Sequence, residues 1–129
     1  LKELKQGFIF NPDFYTDKIH TFEDLNNYPL ILQKEASNSR KLLDSIALQH
    51  SVKLIPKLEV VSQELITEFT NIGLGIGFSI IDLALRNFKN LRELNINTLI
   101  PNINVYLATN NSVSLTFASK MFIKYLSCS

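Results

Sequence analysis

The chain has 129 residues, 46% of them hydrophobic and 19% charged, which suits one globular domain with a real core rather than a disordered chain. A formal net charge of +1 offers no broad basic surface for nucleic acid, and the single cysteine, Cys128, cannot staple a fold. The longest apolar run, Ile72 to Ile81, is broken by Gly and Ser and falls well short of the roughly 20 residues that cross a bilayer, so no membrane partner is expected.

In chain order, Leu1 to Phe10 reads as a strand at its apolar Gly-Phe-Ile-Phe end, and Asn11-Pro12-Asp13 as a turn. Thr21 is a candidate N-cap for one helical turn over Phe22 to Asn26, with Asp24 three residues on. Pro29 opens the apolar strand Leu30-Ile31-Leu32-Gln33. The polar stretch Lys34 to Arg40 then feeds a helix to about Gln49, with Leu42, Leu43, Ile46 and Ala47 turned inward. Lys53 to Val61 is a second strand, which Pro56 assigns to a sheet edge.

From Ser62 a short helix carries Leu65, Ile66, Phe69 and Ile72 on one stripe, and Gly73 stands at its left-handed C′ position. Gly75 to Ile81 is a nearly unbroken apolar strand suited to cover on both faces. These glycines follow a helix and precede a strand. A dinucleotide loop needs the reverse order, so they are read as a packing device. Beyond Ile81, a helical turn over Asp82 to Asn90 precedes alternating strands at Leu91–Ile96 and Ile103–Ala108. A turn at Asn110-Asn111 and a final helix, Ser114 to Leu126, with Leu115, Ala118, Phe122, Tyr125 and Leu126 inward, complete the order. Strand, helix, strand, helix, strand at this spacing predicts an α/β fold, an open and mostly parallel sheet flanked by helices.

Little in the chain looks catalytic. His20 and His50 are far apart with no ligand spacing, so no metal is expected. Cys128 has no activating base, and Glu64 with Glu68 forms a solvated helix face opposite the apolar stripe. The best candidate site is the junction after the first parallel strand. Ser37, Asn38 and Ser39 offer hydroxyls, an amide and free helix-start N–H groups to an anion at the carboxyl end of the sheet. They would serve equally as an ordinary N-cap, and both readings stand. Val61-Ser62-Gln63 repeats the arrangement one unit later, so two helix starts would converge on one crevice.

The ordered set Asp24-Leu-Asn-Asn-Tyr-Pro-Leu-Ile-Leu32, Ser37-Asn-Ser-Arg40, Glu59-Val-Val-Ser62, Gly73-Leu-Gly-Ile-Gly77 and Phe117-Ala-Ser-Lys-Met-Phe122 resembles the effector-binding domain of LysR-type transcriptional regulators over nearly the whole chain. The resemblance implies the second lobe of a two-lobe, type 2 periplasmic-binding-protein-like domain from a bacterial cytoplasmic regulator. Residues 1–20 would be a strand and hinge segment from the first lobe, 21–109 the second lobe and 110–129 a C-terminal helix. It implies a small-molecule effector, a small anion or carboxylate, contacting Glu35, Ser37, Asn38, Ser39, Val61, Ser62 and Ile80, and no cofactor or catalysis. It also implies a homodimer through Leu42, Ser45, Gln49, Lys53 and Pro56, a tetramer in the full-length protein, and DNA contact only through an N-terminal domain preceding Leu1. The chain, starting inside a strand without Met, is read as a piece of a longer polypeptide. Two alternatives share the architecture: a solute-binding protein of a transport system, and a lyase of the prephenate dehydratase type.

Overall fold

The computed structural model describes residues 2–16, 18–96, 98 and 100–105. Five strands form one sheet: β2 (Gln6–Phe10), β3 (Leu30–Gln33), β4 (Leu58–Val60), β5 (Ile76–Ile80) and β6 (Arg92–Leu94), in the order β4-β3-β5-β2-β6. β3 is parallel to β4 and β5, whereas β2 is antiparallel to β5 and β6, so every strand except β2 runs the same way. The expected α/β class, an open and mostly parallel sheet flanked by helices, is the one observed. The strand expected in the leading segment lies inside this sheet, bonded to β5 on one side and β6 on the other. β1 (Lys2–Leu4) and β7 (Ile103–Val105) stand apart as a two-stranded antiparallel ladder, through which the chain enters and leaves the sheet. The expected helix over Ser114–Leu126 lies outside the described residues.

Strand alternation divides the core. On one face Phe8, Phe10, Leu30, Leu32, Ile76, Phe78 and Leu94 meet Phe22 and Leu25 of α1 (Phe22–Leu25) and Leu43, Ile46 and Ala47 of α2 (Asn38–Gln49). Phe8 meets Phe78 and Phe22 edge-on, at 5.0 and 6.1 Å between ring centroids. Each fully buried side chain of this size contributes roughly 1.5–3 kcal/mol. Leu42, expected inward, is half-buried against this cluster. On the opposite face Ile9 packs with Leu91 and with Ile81 and Ala84 of α4 (Ile81–Asn87). α3 (Gln63–Asn71) lies beside it over β3 and β5.

The helix starts follow the sequence. Thr21, Ser37 and Ser62 are the N-caps of α1, α2 and α3, accepting from the N–H groups of Asp24, Arg40 and Glu64. In α1 the Asp24 carboxylate also accepts from the N–H of His20, the residue before the cap, at 3.3 Å. That bond first, and Thr21 second, hold the Asp24 carboxyl below its ordinary pKa. Gly73, at φ 85°, donates to the Thr70 carbonyl while Leu74 donates to that of Phe69, which is the Schellman closure expected of Gly73.

Two expectations need correction. The stripe Leu65, Ile66, Phe69, Ile72 is not the buried face of α3. The helix buries Gln63, Ile66, Thr67 and Thr70, leaving Phe69 half-buried and Leu65 and Ile72 exposed at 36% and 59%. The reason lies in the sheet beneath: a Cβ on Gly77 would strike Thr70 and Ile66, so only a bare backbone with small residues above it lets the helix come this close. The threonine hydroxyls bond back to carbonyls of their own helix, Thr67 to Gln63 at 2.8 Å and Thr70 to Ile66 at 2.6 Å, so their burial leaves no orphan donor.

The strand expected over Lys53–Val61 shortens to Leu58–Val60. In its first half the Asn26 side chain takes the place of a neighbouring strand, donating to Lys53 O at 2.9 Å and accepting from Ile55 N at 3.2 Å. Pro56 lacks a donor, and β4 is indeed the sheet's edge.

Candidate functional site

β3, β4 and β5 end together at one edge of the sheet, with Gln33 opposite Val60 in register and Gln6, the first residue of antiparallel β2, opposite Ile80. From β3 the chain turns to the face carrying α2; from the adjacent β5 it turns at once into α4 on the other face. Neighbouring strands whose connections leave to opposite faces open a crevice at their carboxyl ends, where ligands of open α/β sheets collect.

Two polar clusters line this edge, one on each face. On the α2 side Ser39, 6% exposed, donates to Gln6 Oε1 at 2.9 Å, and Gln6 Nε2 donates to Pro101 O at 3.2 Å. On the α3 side Gln63 Nε2 donates to Gln33 Oε1 at 3.4 Å, and Gln63 Oε1 accepts from Ser79 Oγ at 2.8 Å. Gln33 Nε2 in turn donates to the Val61 carbonyl at 3.4 Å. An unpaired buried amide costs about 1–3 kcal/mol, so these groups hold one another in place.

Arg40 ties the cluster to the backbone. Its side chain is 4% exposed, in the first turn of a helix whose dipole opposes a cation. Nη1 donates to Gln33 O at 2.9 Å and to Glu59 Oε2 at 2.8 Å, while Nε donates to both Asp44 oxygens at 3.0 and 3.1 Å. Burial works against the charge, but the bonds to Glu59 and Asp44 outweigh it and raise the guanidinium's pKa. Its charge is thus spent on β4 and α2, and what the edge exposes is the side chains of Lys34, Glu35 and Asn38 at the start of α2.

The residues singled out from sequence fall at this edge but in different states. Glu35 and Asn38 are exposed, Ser37 and Ser62 are half-buried caps, and Ser39 is buried with its proton given to Gln6. Val61 exposes its side chain and uses its carbonyl on Gln33, while Ile80, 1% exposed, lies within the core. The tips at Gln33 and Val61 are adjacent, as expected, although Gln33 itself is covered by Arg40 and Gln63. Gln6 and Ser79 were not foreseen, whereas Gln33, Arg40 and Gln63 fall within the strand tip and junctions read from sequence but had been given no contacts of their own. The signal available for them was a polar side chain inside, or closing, an otherwise apolar run.

Leu42 and Pro56 are half-buried and Ser45, Gln49 and Lys53 exposed, with exposed Leu48 and Ile55 next to them in sequence; Val61, Leu65, Ile72 and Leu74 expose further apolar surface around α3. Among the described residues no group of three or more His, Cys, Asp or Glu could hold a metal ion, and no helix is long and apolar enough to cross a membrane.

Fold and strand ends together define an α/β lobe with an open carboxyl edge. Its fold is that of the effector-binding domain of LysR-type transcriptional regulators. The effector-binding domain of QuiR in complex with shikimate matches 98% of this chain and 61% of its own at 18% identity and a TM-score of 0.67. The regulatory domain of CcmR from Synechocystis PCC6803 in complex with 2-PG matches 93% of this chain and 64% of its own at 17% identity, with a TM-score of 0.67. HinK, a LysR family transcriptional regulator from Pseudomonas aeruginosa, matches 96% of this chain and 45% of its own at 13% identity and a TM-score of 0.59. The chain therefore spans less than two thirds of each of these three structures. No protein-family model matches the sequence, and no curated protein matches it significantly.

Proposed function

We propose that this chain is the second lobe of the effector-binding domain of a bacterial LysR-type transcriptional regulator. On this reading it senses a small molecule without turning it over. The observation that carries the reading is the meeting of three parallel strand ends, two capped helix starts and two amide clusters at one edge of the sheet. The groups on offer suit a small hydroxylated acid: helix-start N–H groups at Asn38 and Ser39 for its charge, amides and hydroxyls for the rest. Glu35, Ser37, Asn38, Ser39, Val61 and Ser62 would face it, with Ile80 as a buried floor. Asp44 and Glu59 are engaged with Arg40, so neither is assigned a part as acid or base.

The rest of the assembly belongs to the same proposal. The ladder of β1 and β7 would be the hinge to a first lobe, and closure over the effector would set the disposition of DNA-binding heads on an N-terminal domain. The regulator would work in the cytoplasm as a homodimer, and as a tetramer at full length. Pairing about the β4 edge would use Leu42, Ser45, Gln49, Lys53 and Pro56 on one side and Val61 and Leu65 on the other.

Titration calorimetry of the complete two-lobe protein against small carboxylates, beginning with shikimate, tests the site. Ser39→Ala and Ser62→Ala are each expected to weaken binding of any ligand found by about tenfold, one charge-assisted hydrogen bond. Affinity indifferent to both substitutions would remove the crevice as the site.

A further inference from the structure

The first residue of β2, Gln6, shares a face with Phe8 and Phe10 and is 2% exposed, yet it is an amide rather than an apolar side chain. Both ends of that amide are used, on elements far apart in sequence. Oε1 accepts from Ser39 Oγ at 2.9 Å, in the first turn of α2 directly after the β3–α2 junction. Nε2 donates to the carbonyl of Pro101, two residues before β7. Pro101 has no N–H and can only accept there, which fixes the amide's orientation. Gln6 itself follows β1 by two residues, and the intervening Lys5 is held by the Ile81 N–H on its carbonyl and by Glu93 on its ammonium. The incoming strand is therefore fastened to the sheet by Lys5. The Gln6 amide fastens the outgoing one, and the other end of that amide is in the hands of Ser39.

We propose that Gln6 is a positioning residue that couples the β3–α2 junction to the β1–β7 ladder. A ligand that draws the Ser39 hydroxyl toward the crevice takes away the proton Gln6 accepts, lets the amide rotate, and loosens its hold on Pro101. The bridge has two states, made and broken, and contacts at the junction bias one of them. This rests on the reading of the junction as the effector-contacting segment.

Amide hydrogen exchange on the intact chain tests the coupling without any ligand. In Gln6→Leu the amides that pair β1 with β7 are expected to lose protection about tenfold. In Ser39→Ala, which touches neither strand, the same amides should lose protection two- to fivefold, and the double variant should be no worse than Gln6→Leu alone. Gln6→Glu separates bridging from mere filling of space. As a carboxylate it still accepts from Ser39 but cannot donate to Pro101; once protonated it can, and burial favours the protonated form. Protection of the ladder in Gln6→Glu, relative to the parent chain, should therefore recover as pH is lowered. The proposal is overturned if Ser39→Ala leaves the ladder at the parent level, or if Gln6→Glu responds to pH no differently from the parent. Either result leaves the calorimetric test of the crevice untouched, so the two readings fail separately.

Discussion

α2 and α3 are built to the same plan and settle on the sheet in opposite ways. Each follows a parallel strand, starts on a serine cap and ends in a Schellman closure. α2 lands on Leu30, Leu32, Phe8 and Phe78 and buries apolar Leu43, Ile46 and Ala47 against them. α3 lands on Gly77, Ser79 and Gln33 and buries Gln63, Thr67 and Thr70 around a single fully buried apolar side chain, Ile66, leaving Leu65 and Ile72 outside. An apolar stripe thus announces a helix, but the opposing surface decides which side of the helix is inside.

The largest expected effect follows directly. Leu43→Ala, at a side chain 1% exposed, should destabilise the chain by about 3 kcal/mol in urea unfolding, whereas Leu65→Ala should cost no more than about 1. Equal costs would mean that both stripes are buried alike.

The next effect sharpens the account of α3. Gly77→Ala should cost about 2 kcal/mol, because the new methyl group meets Thr70 Oγ1 and Ile66 Cγ2, and the Thr70 hydroxyl is anchored to the Ile66 carbonyl. The double variant with Thr70→Ala should recover a measurable part of that loss. Additive losses would show that close approach of helix and sheet is not what Gly77 provides.

This contrast also explains what was legible beforehand. β3, its junction and α2 could be read from Leu30-Ile-Leu-Gln33, the Ser37 cap and an apolar stripe, because each rests on local chemistry and the matching face is apolar. The two edges of the crevice, 34–40 and 61–63, were legible for the same reason. The groups that give the site its chemistry were not. Gln33 read as the last residue of a strand and Gln63 as part of a helix start, and only tertiary contact makes them a buried pair. Gln6 could not be placed at all, since the insertion of β2 between β5 and β6 depends on pairings more than 65 residues apart in sequence. β4 was overextended because a strand-like run gave no sign that the Asn26 side chain would take over its backbone bonds.

The smallest effect lies at the helix ends, where the two units share a motif and differ in one residue. Ser51 donates to Leu48 O at 2.9 Å and Val52 to Ala47 O at 2.9 Å, the same closure that Gly73 and Leu74 make on α3. Ser51 adopts φ 59° to do so, and it is the non-glycine residue with positive φ among those described. A left-handed backbone costs an L-residue about 1–2 kcal/mol, while glycine concedes roughly 0.5–1 kcal/mol more chain entropy on folding. The difference favours Ser51→Gly by about 0.5–1 kcal/mol, a rise in thermal midpoint of roughly 2–5 °C. A fall in midpoint would mean that the Ser51 side chain contributes more to this turn than its backbone strain removes, and that the ends of α2 and α3 are equivalent in hydrogen bonding but not in energy.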